Sequence, residues 1–195
     1  MKLATALWFI CLAAYPVFSL GQSRTDTGSL IAPKVLIINN DKEILLVYDK
    51  NRNAFEVPGT VISGPLPFTK AVDTILAEAG IIGDSTSNHR IPQFEMGGLF
   101  TYVTPRRFGI ILRPYLVVRL VNFTGTIKNP DYKWFSVKDA IDEIPYPASS
   151  LIVDRIFSDP NKVWAATFEE YGYTNPVDRS KVKFRVIEDF YQLNK

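Results

Sequence analysis

The sequence predicts an α/β fold in which helices cover the faces of a mixed β-sheet. Short β-rich runs alternate with segments whose apolar residues recur at helical spacing. The clearest helical segment follows a short strand across a loop that is broken by glycine and proline. With 195 residues and 47% apolar side chains, the chain can bury the core of one such domain.

The central stretch runs from Phe55 to Ile81 and combines a strand, a turn at Pro58–Gly59, a loop and a helix. Pro67 suits the first turn of that helix, and Gly80 suits its C-terminal cap. The apolar positions of the helix are Phe68, Ala71, Val72, Ile75, Leu76 and Ala79. This layout predicts a helix that presents polar groups beside a loop.

The remaining elements are predicted from alternating and helical apolar patterns. Strands are expected over residues 33–39, 44–48, 55–57, 94–103, 110–123 and 131–135, and helices over 137–144 and 148–157. Gly97–Gly98 predicts a bulge, and Arg113–Pro114 places the start of its run at a sheet edge or entry. The C-terminus is expected to form a hairpin from 163–168 and 182–187, with a helix over 186–193 as the alternative.

The N-terminal segment has the layout of a secretory signal peptide over residues 1–21. We expect secretion, cleavage before Gln22, and a flexible lead-in over 22–32; an uncleaved membrane anchor is the alternative. The single cysteine, Cys11, lies in this segment, so the mature chain would contain no disulfide. The Asn122-Phe123-Thr124 triplet is a candidate glycosylation site at Asn122.

The formal net charge is +2, and the basic residues are scattered along the chain. This charge gives no indication of nucleic-acid binding, and no membrane span is expected after signal cleavage. Arg106, Arg107 and Phe108 lie among aromatic residues and could stack a base and hold a phosphate. A sheet core with an exposed basic turn is the alternative interpretation.

The central stretch resembles the Nudix hydrolases. Their signature is Gly, five residues, Glu, seven residues, then Arg-Glu-apolar-x-Glu-Glu-x-Gly-apolar. Gly59 matches its first glycine, Gly64 an additional common glycine, and Gly80-Ile81 its closing pair, without a gap. The later Trp134 strand and the helix after it are also similar. The resemblance therefore implies a Nudix-like α/β/α sandwich over residues 33–158, with a C-terminal extension over 159–195 packed on the same domain.

The chemical positions of the signature mostly depart from the family. Pro65 replaces the first Glu, Asp73-Thr74 replaces the Arg-Glu pair, and Ala77-Glu78 replaces the Glu-Glu pair. The family hydrolyses nucleoside diphosphate derivatives with a divalent metal, usually Mg²⁺, which prefers several oxygen ligands. Glu78 is the remaining candidate metal ligand, although an ordinary solvated helix residue is the favoured interpretation. Glu56 and Glu95 could lend a carboxylate, but each is expected to be a surface residue.

Three functions remain open from the sequence. The first is a secreted Nudix-fold protein with impaired catalysis that binds a nucleoside diphosphate-linked ligand or a protein partner. The second is an active Mg²⁺-dependent pyrophosphohydrolase that acts on a nucleotide derivative. The third is a structural or interaction domain without a small-molecule ligand. The missing carboxylates favour the first, with no cofactor expected unless the hydrolase interpretation holds.

Overall fold

The computed structural model describes residues 29–62, 66–81, 93–104, 109–174 and 177–194. The predicted signal peptide and most of the lead-in lie outside these residues. Among the described residues, no helix has the length and apolar composition that crossing a membrane requires.

The described residues form nine strands and three helices. The strands are β1 Leu30–Ile31, β2 Lys34–Ile38, β3 Ile44–Asp49, β4 Ala54–Glu56, β5 Phe94–Thr104, β6 Gly109–Arg119, β7 Tyr132–Phe135, β8 Trp164–Tyr171 and β9 Lys183–Gln192. The helices are α1 Phe68–Glu78, α2 Val137–Glu143 and α3 Pro147–Ser158.

All described strands belong to one mixed sheet with the order β4-β3-β2-β6-β5-β8-β9. β6 is parallel to β1 and β2, and β5 is parallel to β8, whereas the other pairs are antiparallel. β7 pairs with β3, and β1 pairs with β6, beside this main path. The α/β prediction with a mixed sheet is therefore confirmed.

The two faces of the sheet are covered by different helices. In β2, Val35 and Ile37 lie in a core cluster with the apolar side of α1, whereas Leu36 and Ile38 share a core with α2 and α3. Successive strand residues point to opposite faces, so one strand contributes to both cores. We call these the α1 face and the α2/α3 face of the sheet.

The expectation that Arg113–Pro114 marks a sheet edge or entry is wrong, because β6 lies at the centre of the sheet. Pro114 is tolerated there because pairing changes from β1 to β2 at this point. β1 pairs with β6 up to Leu112, and β2 pairs with it from Tyr115 onward. A residue without a backbone N–H therefore falls in the gap between two partners.

Two further boundaries differ from the sequence pattern. β6 ends at Arg119 rather than at residue 123, and the chain then turns at Asn122, whose φ is 58°. Asparagine tolerates this left-handed conformation better than most residues. The alternative C-terminal helix over 186–193 is wrong, because β9 forms the predicted hairpin with β8. The predicted bulge is confirmed between Met96 and Gly98.

The β8–β9 hairpin joins the main sheet through a cluster of aromatic rings. The Phe168 ring is fully buried, and its centroid lies 5.7 Å from that of Phe190 and 6.0 Å from that of Phe184. It also lies 5.8 Å from the Tyr102 ring of β5. The C-terminal residues thus share the core on the α2/α3 face with the rest of the sheet.

We expect Phe168→Ala to lower the free energy of unfolding by about 3–5 kcal/mol, because the cavity removes contacts on several sides. Phe123→Ala is the matched control, since that ring is half-buried on the α1 face beside Trp134. Urea unfolding followed by circular dichroism measures both changes. Equal small losses in the two variants would contradict the central role of the aromatic cluster.

Candidate functional site

The backbone features of the Nudix-like box are present in the structure. Helix α1 begins after Pro67, and Gly80 ends it with a φ of 74°. A β-carbon on Gly80 would lie 2.7 Å from the Cβ of Lys128, so space as well as conformation requires glycine. A β-carbon on Gly59 would lie 2.5 Å from the Cδ of Lys34. Glycine therefore allows the box turn to approach β2 this closely.

The side chains on α1 do not form a carboxylate cluster. Thr74 is exposed, and its hydroxyl donates to the Lys70 carbonyl at 2.9 Å, one turn back along the helix. Ala77 is exposed and supplies no ligand atom. Asp73 is half-buried, and its Oδ1 is buried without a hydrogen-bond partner. Asp73 and Glu78 are five positions apart, a poorer spacing for one helix face than three or four.

Glu78 is exposed at the last turn of α1, and both its carbonyl and its carboxylate lie beside other residues of the protein. Its carbonyl accepts a hydrogen bond from Nδ2 of Asn129 at 2.9 Å. Burial, together with the neighbouring Glu78 carboxylate, raises the pKa of Tyr132 to about 12. Glu78 therefore lies against β7 and the segment before it.

The described residues do not fit a Mg²⁺ centre of the Nudix type. No group of three or more His, Cys, Asp or Glu side chains among them lies close enough together to hold a metal ion. A hard cation of this kind needs several oxygen ligands, and the described box positions offer only the separated carboxylates of Asp73 and Glu78.

Several predicted site residues lie outside the described residues, namely Gly64, Pro65, Arg106, Arg107 and Phe108. Asn122 lies in an exposed turn. Glu95 is exposed on β5, as expected.

Glu56 was expected to be a surface residue, and this expectation is wrong. Its side chain is only 16% exposed, and Oε2 accepts a hydrogen bond from Nζ of Lys34 at 3.0 Å. Nζ of Lys34 also donates to the Val57 carbonyl at 2.9 Å. The strand leading into the box is therefore tied to β2 by a half-buried ion pair.

This ion pair belongs to a set of five charged residues on the α2/α3 face, which we call the charged cluster. Its members are Lys34, Arg52, Glu56, Arg113 and Glu170. Four tyrosines surround these charges, namely Tyr102, Tyr115, Tyr146 and Tyr173. The cluster and α1 lie on opposite faces of the sheet.

The outer part of the charged cluster is a chain of ion pairs. Arg52 contacts Glu56 at 3.3 Å, and its guanidinium lies 5.9 Å from the centre of the Tyr146 ring. Burial by itself would raise the pKa of Glu56, but the charges of Lys34 and Arg52 outweigh burial and lower it. Burial lowers the pKa of Lys34, although Glu56 partly offsets this effect. The side chains of Lys34, Arg52 and Glu56 therefore carry opposite charges next to one another in a poorly hydrated region.

The inner part of the cluster contains unpaired polar atoms. The Arg113 guanidinium lies over the Tyr102 ring, 4.1 Å from its centre, and its Nε is buried without a hydrogen-bond partner. Among the described residues, no carboxylate lies within 4.0 Å of Arg113. Glu170 is 2% exposed, and its Oε1 is likewise buried without a partner. Buried polar groups are normally paired, so these atoms mark a candidate ligand position.

The charges of the cluster favour an anion. Three cations face two carboxylates, and burial raises the pKa of Glu170 although Arg113 partly offsets it. Burial by itself would lower the pKa of Arg113, but the neighbouring tyrosines and Glu170 raise it, so its cation is retained. Arginine presents a planar fork to phosphate or carboxylate oxygens and stacks on aromatic rings. The cluster is therefore a candidate site for a flat, anionic group.

Sequence reasoning missed this cluster because its members come from four separate segments of the chain. Lys34 lies in β2, Arg52 and Glu56 lie around the β3–β4 turn, Arg113 lies in β6, and Glu170 lies in β8. The available signal was Arg113 itself, a charged residue inside an otherwise apolar run. Such a residue in a buried strand needs a partner or a ligand.

The lowered pKa of Glu56 predicts a loss of stability in acid. A carboxyl whose pKa is depressed on folding stabilises the protein above its unfolded pKa of about 4.3 and loses that effect as the pH falls. We expect the free energy of unfolding to decrease less between about pH 6 and about pH 3 in Glu56→Gln than in the unmodified chain. Glu95→Gln is the exposed control, and urea unfolding at each pH is the measurement. Parallel pH profiles for all three proteins would contradict this origin.

Comparison with known proteins identifies the fold, but only from solved structures of low sequence identity. No protein-family model matches the sequence, and a search of curated proteins gives no significant match. Among solved structures, a mutator MutT protein from Bacillus halodurans matches with a TM-score of 0.56 and 12% identity, covering 81% of this chain and 97% of that chain. A MutT protein from Methanosarcina mazei Go1 matches with a TM-score of 0.51 and 15% identity, covering 69% and 96%.

The ORF135 protein of E. coli also matches, with a TM-score of 0.50 and 17% identity over 68% of this chain and 91% of that chain. At such low identity these similarities concern the fold alone. One helix covers the α1 face of the sheet and two cover the other face, as in the predicted α/β/α sandwich. The chain therefore has the Nudix fold of the MutT proteins.

Proposed function

We propose that this chain is a secreted Nudix-fold protein with impaired catalysis that binds a nucleoside diphosphate-linked ligand at the charged cluster. One observation carries this proposal. Arg113 stacks on Tyr102 without an ion-pair partner among the described residues, whereas α1 has lost most of the carboxylates that catalysis in this family requires.

The chemistry of the cluster supports a ligand with phosphate and ring groups. Arg113 and Lys34 attract phosphate oxygens, and Arg52 adds a further cation at the more exposed side. The rings of Tyr102 and Tyr146 lie beside these charges. Phosphate contacts to arginine and stacking on aromatic rings are the two interactions that nucleotide-like ligands commonly use. The cluster supplies no nucleophile paired with a base, which agrees with binding rather than turnover.

The first test is turnover. We expect no Mg²⁺-dependent release of phosphate or nucleoside monophosphate from a panel of nucleoside diphosphate derivatives, because the carboxylates that hold the metal are mostly absent. A colorimetric phosphate assay and chromatography measure the products. Hydrolysis that requires Mg²⁺ and disappears in Glu78→Gln would replace our proposal with the hydrolase interpretation.

The second test is binding. We expect ADP-ribose to raise the melting temperature of the chain, by mass action on the folded state. Arg113→Gln should weaken its binding by about tenfold or more, because a hydrogen-bonded charge pair is lost. Arg119→Gln, an exposed position on the same strand, is the matched control. Calorimetric titration measures the affinities.

Two results would contradict ligand binding at this position. The first is equal affinity in the Arg113 and Arg119 variants, which would place any bound ADP-ribose elsewhere. The second is the absence of a melting-temperature shift with every diphosphate derivative, which would favour the structural or interaction domain and its protein partner.

Secretion and glycosylation belong to the same proposal. The N-terminal pattern predicts a mature chain that begins near Gln22, and Asn122 lies in an exposed turn. The turn is fixed by Asn40, whose Oδ1 accepts the backbone N–H of Asn122 at 3.0 Å. Asn40 also donates to the Phe123 carbonyl at 3.2 Å, so the turn is held through its backbone.

We expect the full chain, translated with microsomes, to be cleaved near Gln22 and to gain a glycan that an endoglycosidase removes. Thr124→Ala should abolish this mass shift, because it destroys the acceptor triplet. Thr124→Ser should retain it, and both variants leave the Asn122 turn intact. A translocated, protease-protected chain without a glycan would exclude the modification, and an intact N-terminus would exclude signal cleavage.

A further inference from the structure

The β8–β9 hairpin carries part of the charged cluster, and its connection reaches across the α2/α3 face. The backbone N–H of Val177 donates to the Arg52 carbonyl at 3.2 Å. Arg179 donates to the Asp142 carbonyl and lies 3.8 Å from the Glu143 carboxylate at the end of α2. These contacts link residues 177–179 of the connection to the β3–β4 turn and to α2.

Glu170 lies near two groups that attract anions, the start of α3 and Arg113. Its carboxyl faces the backbone N–H of Ala148 in the first turn of α3. No side chain caps the N-terminus of this helix. Its charge also acts directly on Arg113. A helix N-terminus and an adjacent arginine both favour a negative charge.

The Glu170 carboxyl is held in place without an ion pair, and burial raises its pKa. The Tyr173 hydroxyl donates to Oε2, while Oε1 stays buried without a partner. The other charged or titratable groups that act on it are Arg113 and Lys34, and it acts in turn on Tyr102 and Tyr115. No ion pair of Glu170 within 4.0 Å occurs in the described part of the chain. The carboxyl therefore stands where the negative group of a ligand would be most stable.

We propose that Glu170 is a specificity-determining residue that competes with the phosphate or carboxylate of a ligand for Arg113 and the start of α3. This inference rests on the proposed function, because it assumes that an anionic ligand binds at the charged cluster. The residue limits the affinity for anions and favours ligands that bring a hydrogen-bond donor to its free oxygen. A residue of the β8–β9 hairpin would thus determine which ligands bind at the charged cluster.

The neighbouring Glu169 provides a matched control. Successive residues of a strand point to opposite faces, and Glu169 pairs with Arg185 at 2.7 Å away from the charged cluster. Glu169→Gln removes the same charge from the same strand. It should leave the affinity for anions unchanged, because its carboxylate contacts none of the cluster residues.

The test compares ADP-ribose and inorganic diphosphate binding to the unmodified chain, Glu170→Gln, Glu170→Asp and Glu169→Gln by calorimetric titration. Glutamine keeps an acceptor for Tyr173 but removes the charge, so we expect about tenfold tighter binding of both probes. Aspartate keeps the charge but withdraws it from Arg113, so a smaller gain is expected. If the glutamine variant does not fold, as judged by its melting curve, the aspartate variant decides the outcome.

The outcomes separate this inference from the proposed function. Binding by the unmodified chain with no gain, or with a loss, in both Glu170 variants would overturn competition and leave ligand binding intact. An equal gain in Glu169→Gln would also overturn it, because the effect would then be one of net charge. Binding only in the Glu170 variants would support competition in its strongest form. Absence of binding in every protein would overturn the proposed function and this inference together.

Discussion

The alternation of side chains along β6 is the constraint on which the core and the candidate site both depend. This strand is central in the sheet, so both of its faces must be filled. Leu116 and Val118 pack beneath α1, whereas Tyr115 and Val117 enter the core on the other side. Arg113 follows the same alternation, so its side chain lies on the same face as Tyr115 and Val117. A shift of one residue would move these side chains to the opposite cores and remove the arginine from the charged cluster.

The backbone features of the predicted box do not depend on its polar side chains. Gly59 and Gly80 still allow the close approaches that the box geometry requires. The helix between them is fixed by its apolar side, and that packing does not involve the exposed Thr74 and Ala77. Loss of carboxylates from an exposed helix side leaves the fold intact, because surface positions contribute little to stability. The opposite face of the sheet meanwhile retains buried charges that are expensive unless paired or liganded.

Much of the fold could be predicted from local patterns. The stop at Gly80 and the bulge at Gly97–Gly98 both follow from local backbone rules, and the structure contains both. The position of Pro114 could not be predicted, because it depends on where β1 gives way to β2 as a partner. The choice of hairpin over helix at the C-terminus also required β8, whose ring at Phe168 packs against the inward-facing rings of β9.

The sequence by itself determined the α/β class and the amphipathic helix α1, because these depend on residue type and spacing along one segment. Only the tertiary structure decided that Glu56 is a buried partner of Lys34 rather than a surface residue. It also brought Arg113 and Glu170 into one cluster from distant strands. Strand order in the sheet sets these contacts, and strand order depends on packing among segments that no local pattern records.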